Sequence, residues 1–199
     1  GFAKALRTVP VVLDIAERVR RIAPQAWIID FTNPVGIVTR ALLDAGHRAV
    51  GLCNVAIGFQ RRAAAHLGVE PSLIKLDHVG LNHLTWERGF YLDGEDFLPK
   101  YLSESLDEIA HDIELPAELI SRLSAIPSYY LRYFYAHDIV VKEQIDQVAK
   151  GENRAKAVAA VESELLELYA DPSLDTKPEQ LGKRGGAFYS EAAVELMAS

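Results

Sequence analysis

The sequence predicts an α/β fold in which a partial parallel sheet of the nucleotide-binding type is followed by a mostly helical α+β part. Up to about residue 68, short apolar runs alternate with segments in which apolar residues recur at helical spacing. Such alternation, with short connections, is typical of parallel strands joined by crossover helices. From about residue 74 two extended runs follow each other directly, and beyond residue 97 helical spacing dominates.

The first part is predicted to contain two strands and three helices. A helix covers residues 3–22, and Pro10 is predicted to kink or restart it. The elements that follow are a strand over 26–31, a helix over 35–43 opened by Pro34, a strand over 47–52 and a helix over 57–67 closed by Gly68. No G-x-G-x-x-G phosphate loop occurs, so residues 1–72 are predicted to be the C-terminal half of a nucleotide-binding domain.

Residues 73–199 are predicted to form a second, mostly helical domain. It begins with extended runs over 73–83 and 84–92, with bulges at Gly80 and Gly89 and a hairpin turn at Asp93-Gly94. Helices are predicted over 102–113, 117–123, 129–149, 155–168 and 187–197.

Composition limits the classes of function. The 199 residues are 49% hydrophobic and carry a net charge of -7, which suits a soluble globular protein and argues against a nucleic-acid partner. No apolar run reaches the roughly 18 residues of a membrane span, so no membrane partner is expected. The single Cys53 excludes an internal disulfide and favours a cytoplasmic location. Because the chain opens at Gly1 within a helical pattern, we expect a fragment of a longer protein.

A thiol and an imidazole are the first candidates for chemistry. Cys53 follows the strand-like run over 49–52, and His83 follows the run over 73–79, each beside an amide, Asn54 and Asn82. Ligands of open α/β sheets bind outside the carboxyl ends of strands, so both side chains are predicted to face one site. Together they could hold a divalent metal with positions left for substrate oxygens. Alternatively, Cys53 is a small buried hydrophobic residue and His83 a structural histidine.

Asn33 is the next candidate, because it ends the strand over 26–31 within the motif T-N-P-V. It could present its amide to a ligand, or it could cap the helix that Pro34 begins. The motif resembles the lactate/malate dehydrogenase superfamily, in which this Asn lies near the nicotinamide and the substrate. That resemblance implies a Rossmann-like first domain.

A second resemblance covers essentially the whole chain. It rests on the segments GLCNV (51–55), DHVGLNH (77–83), AIPSYYLRY (125–133), KRGGAFYS (183–190) and GFAKALR (1–7). In combination these segments resemble glycoside hydrolase family four. The Cys53-Asn54 pair is similar to the 6-phospho-β-glucosidase branch of that family. The family's N-terminal dinucleotide loop is missing from this chain, so as it stands we expect weak or lost NAD binding and turnover.

The resemblance implies hydrolysis of 6-phospho-β-glucosides with NAD and a divalent metal, typically Mn2+, as cofactors. The implied steps are NAD-dependent oxidation at carbon 3, metal-assisted deprotonation at carbon 2 by a tyrosinate, and elimination of the aglycone. Water then adds to carbon 1, and the hydride returns. The substrate would be a phosphorylated disaccharide or a β-glucoside.

By position, the resemblance assigns roles to seven residues in the two domains. Cys53 and His83 would bind the metal, and residues 73–199 would form the substrate and metal domain. Asn33 and Asn54 would contact substrate hydroxyls or cofactor. Tyr130 is the predicted base, with Tyr133 second, and Arg184 would bind the 6-phosphate; each could instead be structural, the rings as core and Arg184 as a surface residue.

Two other hypotheses remain open at this point. A lactate/malate-type 2-hydroxy-acid dehydrogenase would place an arginine, Arg61 or Arg62, on the helix after the second strand and would leave Cys53 without a role. A non-catalytic helical assembly fragment would fold and associate without activity. For the glycosidase we expect a homo-oligomer, either a dimer or a tetramer.

Overall fold

The computed structural model describes residues 1–184 and 188–198, except for the side chain of Arg184. It divides into two compact units, Gly1–Asn54 with Phe188–Ser199, and Val55–Ala187. Within the described residues no helix combines the length and the apolar character needed to cross a bilayer. The predicted boundary after residue 72 separates a nucleotide-binding part from a substrate part. It stays a prediction, because the division into compact units does not show what each part binds.

The first unit is built on two parallel strands. Helix α1 (Phe2–Ile22) precedes strand β1 (Ile28–Asp30), helix α2 (Val35–Asp44) and strand β2 (Ala49–Gly51). The strands pair in parallel over three residues each, from Ile28 opposite Ala49 to Asp30 opposite Gly51. A Cβ atom at Gly51 would lie 1.9 Å from Thr39 Oγ1, so only glycine allows α2 to approach this strand end so closely.

The core of the first unit lies between α1, α2 and the strand pair. Ala16, Val38, Leu42 and Ala49 are its buried residues, with Val9, Val12, Leu13 and Ile28 packed around them. Helix α1 runs through Pro10 without the predicted restart. Residues from Val9 to Ala16 pack on the same core, so burial outweighs the hydrogen bond that Pro10 cannot donate.

The second unit combines an antiparallel sheet with helices. Helix α3 (Val55–Leu67) and a 3-10 turn (Pro71–Leu73) lead to strands β3 (Lys75–Leu81), β4 (Leu84–Leu92) and β5 (Glu95–Asp96). The following elements are α4 (Leu98–Ile113), α5 (Ala117–Leu123), β6 (Ile126–Pro127), a 3-10 turn (Tyr129–Leu131), α6 (Arg132–Tyr135), α7 (His137–Lys150), α8 (Arg154–Tyr169) and α9 (Gln180–Arg184). Helix α10 (Tyr189–Ala198) then belongs to the first unit.

The four-stranded sheet has the order β3-β4-β5, and β6 pairs with the other part of β4. Its core contains Phe90, Leu98, Ile120 and Ile126, each at most 2% exposed. The predicted α/β class is confirmed, with a parallel strand pair first and a mostly helical part after it.

Two local predictions need correction. The bulge lies at Arg88, directly beside the predicted Gly89, where the register steps from Asp77–Gly89 to His78–Glu87, whereas the pairing is regular at the predicted Gly80. The predicted helix over 129–149 is instead a 3-10 turn followed by two helices, which separate at Ala136 with its φ of -118°. Apolar spacing is continuous through this break, which is why periodicity alone did not show it. The turn at Asp93-Gly94 is confirmed, with φ of 52° and 87°.

Candidate active site

In the first unit, the candidate residues follow the carboxyl ends of β1 and β2. Asn33 is exposed, and α2 is N-capped by Pro34 without a side-chain hydrogen bond, so the capping alternative for Asn33 is not seen. Cys53 is half-buried, with its Sγ 3.9 Å from Asn54 Oδ1. A side chain of this exposure is reachable by a ligand, unlike the fully buried cysteine of the alternative interpretation.

His83 lies in a hairpin turn of the second unit. Leu81 pairs with Leu84, so Asn82 and His83 form a two-residue connection between β3 and β4, with Asn82 at a φ of 51°. The prediction that Cys53 and His83 follow the ends of neighbouring strands is therefore wrong, because β2 belongs to the parallel strand pair and β3 to the antiparallel sheet. The run continues directly into β4, and the left-handed conformation that Asn tolerates reverses the chain.

The imidazole of His83 stacks on the ring of Tyr130. The ring centroids are 3.6 Å apart and the ring planes differ by 10°. Burial lowers the pKa of His83 below its usual value, so the imidazole is neutral at neutral pH and can offer a nitrogen lone pair. Tyr130 is 41% exposed, so one face of this pair remains accessible. The candidate metal ligand and the candidate base are thus in direct contact.

Three tyrosines line an open cleft of ≈ 790 Å³ in the second unit. The other lining residues are Glu114, Arg132, Glu143, Gln144, Gln147, Val148, Asn153, Arg154 and Ala155. Tyr130 and Tyr133, at 41% and 45% exposed, are not core residues. Tyr135, a further ring of the same segment, instead packs against the main hydrophobic cluster.

Tyr129, the third ring, is poorly suited to act as a base. Its hydroxyl donates to Glu114 Oε1 at 3.3 Å and accepts from Arg132 Nη1 at 3.2 Å. Burial raises the pKa of Tyr129 above its usual value. The charge of Glu114 adds to this effect, and Arg132 opposes it. Arg132 itself is paired with Glu114 and Glu143, so its charge is largely neutralised.

The remaining candidates are placed less directly. Arg184 ends α9, and its side chain lies outside the described residues. The guanidinium of Arg62 lies 4.9 Å from the ring centroid of Phe59, beside the core of the second unit. Sequence reasoning missed Glu114, Arg132 and Glu143, because no motif or spacing indicates that these residues meet.

The donor chemistry of the predicted metal ligands fits a divalent ion. Cys53 supplies a thiolate donor and His83 a neutral imidazole, both on half-buried side chains. Within the described part of the chain, no cluster of three or more His, Cys, Asp and Glu side chains is arranged to hold a metal. For NAD, the exposed amide of Asn33, which follows β1, is a group that could donate to or accept from a dinucleotide.

Comparison with known proteins gives consistent matches along the chain. The profile of the Family 4 glycosyl hydrolase matches residues 1–69, and that of the Family 4 glycosyl hydrolase C-terminal domain matches residues 78–199. The Probable 6-phospho-beta-glucosidase of Bacillus subtilis is 37% identical over 100% of this chain and 47% of its own length. The 6-phospho-beta-glucosidase of Escherichia coli is 34% identical over 99% of this chain and 46% of its own length.

A solved structure agrees with these sequence matches. The 6-phospho-beta glucosidase of Thermotoga maritima, solved with NAD and glucose-6-phosphate, is 33% identical, with a TM-score of 0.78 over 97% of this chain and 45% of that one. The same enzyme has also been solved with manganese, NAD+ and glucose-6-phosphate. The chain spans about half the length of the curated relatives it matches. On both family profiles and these relatives, the chain belongs to glycosyl hydrolase family 4.

Proposed function

We propose that this chain forms part of a glycosidase that hydrolyses 6-phospho-β-glucosides with NAD and a divalent metal, Mn2+ being the expected ion. The observation that carries the proposal is the contact between His83 and Tyr130 at the edge of the tyrosine-lined cleft. Relatives from Bacillus subtilis and Escherichia coli carry the 6-phospho-beta-glucosidase name, and the Thermotoga maritima enzyme binds NAD, manganese and glucose-6-phosphate. These relatives favour a glycosidase over the lactate/malate-type dehydrogenase.

Cys53 and His83 are the residues proposed to hold the metal. Bound NAD supplies hydride exchange with carbon 3 of the sugar, and a bound divalent metal supplies polarisation of the carbon 3 oxygen. Asn33, exposed after β1, and Asn54, half-buried beside Cys53, are proposed to bind sugar hydroxyls, and Asn33 also to contact the cofactor. Arg184 is proposed to bind the 6-phosphate, whose oxygens match the planar guanidinium.

Tyr130 is proposed to take the proton from carbon 2. Its side chain is accessible, and its ring lies against an imidazole proposed to carry a cation. A free tyrosine is protonated at neutral pH, so Tyr130 would need such a cation nearby to act as a phenolate base. Tyr133 lines the same cleft and is the second candidate for this role.

The direct test is the hydrolysis of p-nitrophenyl 6-phospho-β-glucoside by the full-length protein, assayed with and without NAD+ and Mn2+. Turnover that needs both additions supports the proposal. The matched control is the α-anomer of the same compound, for which little turnover is expected. Metal-free reduction of oxaloacetate by NADH would support the dehydrogenase instead, and turnover of the β-glucoside that is unaffected by omitting either addition would contradict the proposed mechanism.

The proposal includes a cytoplasmic location and a homo-oligomer, either a dimer or a tetramer. The single cysteine supports a reducing compartment. Large apolar side chains exposed on α7, including Ile139 at 58% and Ile145 at 63%, are of the kind that subunit contacts bury. Light scattering on the purified protein measures the assembly, and a monomer at micromolar concentration would contradict it.

A further inference from the structure

Ser128, immediately before the Tyr129–Leu131 turn, is tied to the strand that follows His83. Residues of β6 pair with β4, Pro127 opposite Trp86 and Ile126 opposite Glu87. The pairing continues one residue further, where the Ser128 N–H donates to the Thr85 carbonyl at 2.9 Å. Thr85 lies two residues after His83 in the chain. The turn that carries Tyr130 is therefore joined through backbone hydrogen bonds to the hairpin that carries His83.

The side chain of Ser128 is completely buried, at 0% exposure, and it caps the turn. Its Oγ accepts from the Tyr130 N–H at 3.4 Å, and its carbonyl accepts from the Leu131 N–H at 2.8 Å. Burying a hydroxyl costs free energy unless the hydroxyl is hydrogen-bonded. The buried hydroxyl of Ser128 meets this condition by accepting the hydrogen bond of the Tyr130 amide. Ser128 thus contacts the backbone of Tyr130 from one side and β4 from the other.

The ring of Tyr130 is not fixed by burial in the core, because 41% of its surface is exposed. It also packs edge-on against Tyr129, with 5.8 Å between the ring centroids, and both rings are carried by the same turn, so its orientation against His83 depends in part on where the backbone of that turn is held. We infer that Ser128 is a positioning residue whose buried hydroxyl sets the Tyr130 backbone so that the phenol ring stacks on the His83 imidazole. The inference builds on the proposed function, in which these two rings are the base and a metal ligand.

The stack can be measured without turnover by NMR of the full-length protein labelled in its histidine rings. An aromatic ring stacked on an imidazole shifts the imidazole protons upfield, so Tyr130→Leu should move the His83 signals downfield and define complete loss of the stack. Ser128→Ala is expected to move them in the same direction, and Ser128→Thr, which keeps the hydroxyl, to leave them near their original position. Ser163→Ala, the control at an exposed helical serine whose hydroxyl bonds to Ala159 O, should change nothing.

If Ser128→Ala folds and its His83 signals are unchanged, the inference is overturned. The inference is also overturned if Tyr130→Leu leaves the His83 signals where they are in the parent protein. Should Ser128→Ala not fold, Ser128→Cys, with a similar shape but a much weaker acceptor, carries the same test. In the hydrolysis assay, Ser128→Ala is expected to lower kcat by about fivefold with little change in KM, the scale of a lost capping bond. Absence of hydrolysis by the parent protein would contradict the proposed function and leave the NMR result on Ser128 standing.

Discussion

Arg132 reaches the carboxylate of Glu143 with its Nη2 at 2.6 Å and so joins helices α6 and α7 across the break at Ala136. The same nitrogen lies 2.6 Å from Glu114, which ends α4. Arg132 is only 8% exposed, whereas the two glutamate side chains are 48% and 47% exposed. One nearly buried cation in the wall of the tyrosine-lined cleft therefore holds three helices together.

Replacing this cation should destabilise the protein markedly. Arg132→Met leaves two carboxylates facing each other, and we expect unfolding free energy to fall by about 2 kcal/mol, below the usual loss on breaking a buried pair because both carboxylates reach water. Urea unfolding followed by circular dichroism measures the change. Arg122→Met is the control, since its ion pair with Glu118 is 77% and 76% exposed, and a change within about 0.5 kcal/mol is expected. Equal losses for the two variants would contradict the role given to Arg132.

Removing the hydroxyl of Tyr130 should abolish most of the activity without disturbing the fold. Tyr130→Phe keeps the ring that stacks on His83 but cannot accept a proton, so kcat for p-nitrophenyl 6-phospho-β-glucoside should fall by at least about 100-fold. Tyr133→Phe is the matched control at the other accessible ring of the cleft, and a loss below about tenfold is expected there. The reverse order of the two losses would assign the base to Tyr133.

Each proposed metal ligand should contribute to Mn2+ affinity. Cys53→Ser and His83→Gln are each expected to weaken Mn2+ binding by at least about tenfold, because each removes one protein donor from an incomplete set. Titration followed by electron paramagnetic resonance measures free Mn2+ without any turnover. His66→Gln is the control, because the His66 Nε2 is hydrogen-bonded to Glu104 Oε2 at 3.1 Å and this residue has no proposed role in the site. Unchanged affinity in both ligand variants would remove Cys53 and His83 from the site.

Patterns local in the chain predicted much of the fold. The alternation of strand-like and helical runs correctly predicted the α/β fold class. The Asp93-Gly94 pair correctly predicted a hairpin turn, because both residues accept a positive φ. The turn at His83 was missed, since its Asn82-His83 pair lacks the glycine that usually marks such a reversal. The signal that could have indicated it was Asn82, a residue tolerant of the left-handed region.

Relationships between distant residues could not be predicted in the same way. The two-residue strand Ile126–Pro127 forms only because it pairs with β4, about forty residues earlier, and so carries no periodic pattern of its own. The contact of His83 with Tyr130 depends on that pairing. The sequence pointed to both residues through a family resemblance, whereas the pairing of β6 with β4 that brings their segments together has no local pattern.

The last prediction concerns a carboxyl inside the sheet of the second unit. Glu87 on β4 is 0% exposed and is hydrogen-bonded to His78 across the strand pair, while its Oε2 has no partner among the described residues. Burial raises the pKa of Glu87 above its usual value, and this effect exceeds the opposing ones of His78 and Arg62. The folded state therefore binds a proton that the unfolded chain releases at lower pH.

Because its pKa is raised on folding, Glu87 should contribute stability that is full below the unfolded pKa of about 4.3 and that declines as pH rises through the folded value. Glu87→Gln keeps a hydrogen bond to His78 and carries no charge, so the variant should lose this decline and gain stability relative to the parent as pH increases. Urea unfolding at a series of pH values from about 4 to 8 measures the difference between the two curves. Glu118→Gln, at a highly exposed glutamate, should show no such pH-dependent gain. A difference between Glu87→Gln and the parent that stays constant with pH would show that the pKa of Glu87 is not raised on folding.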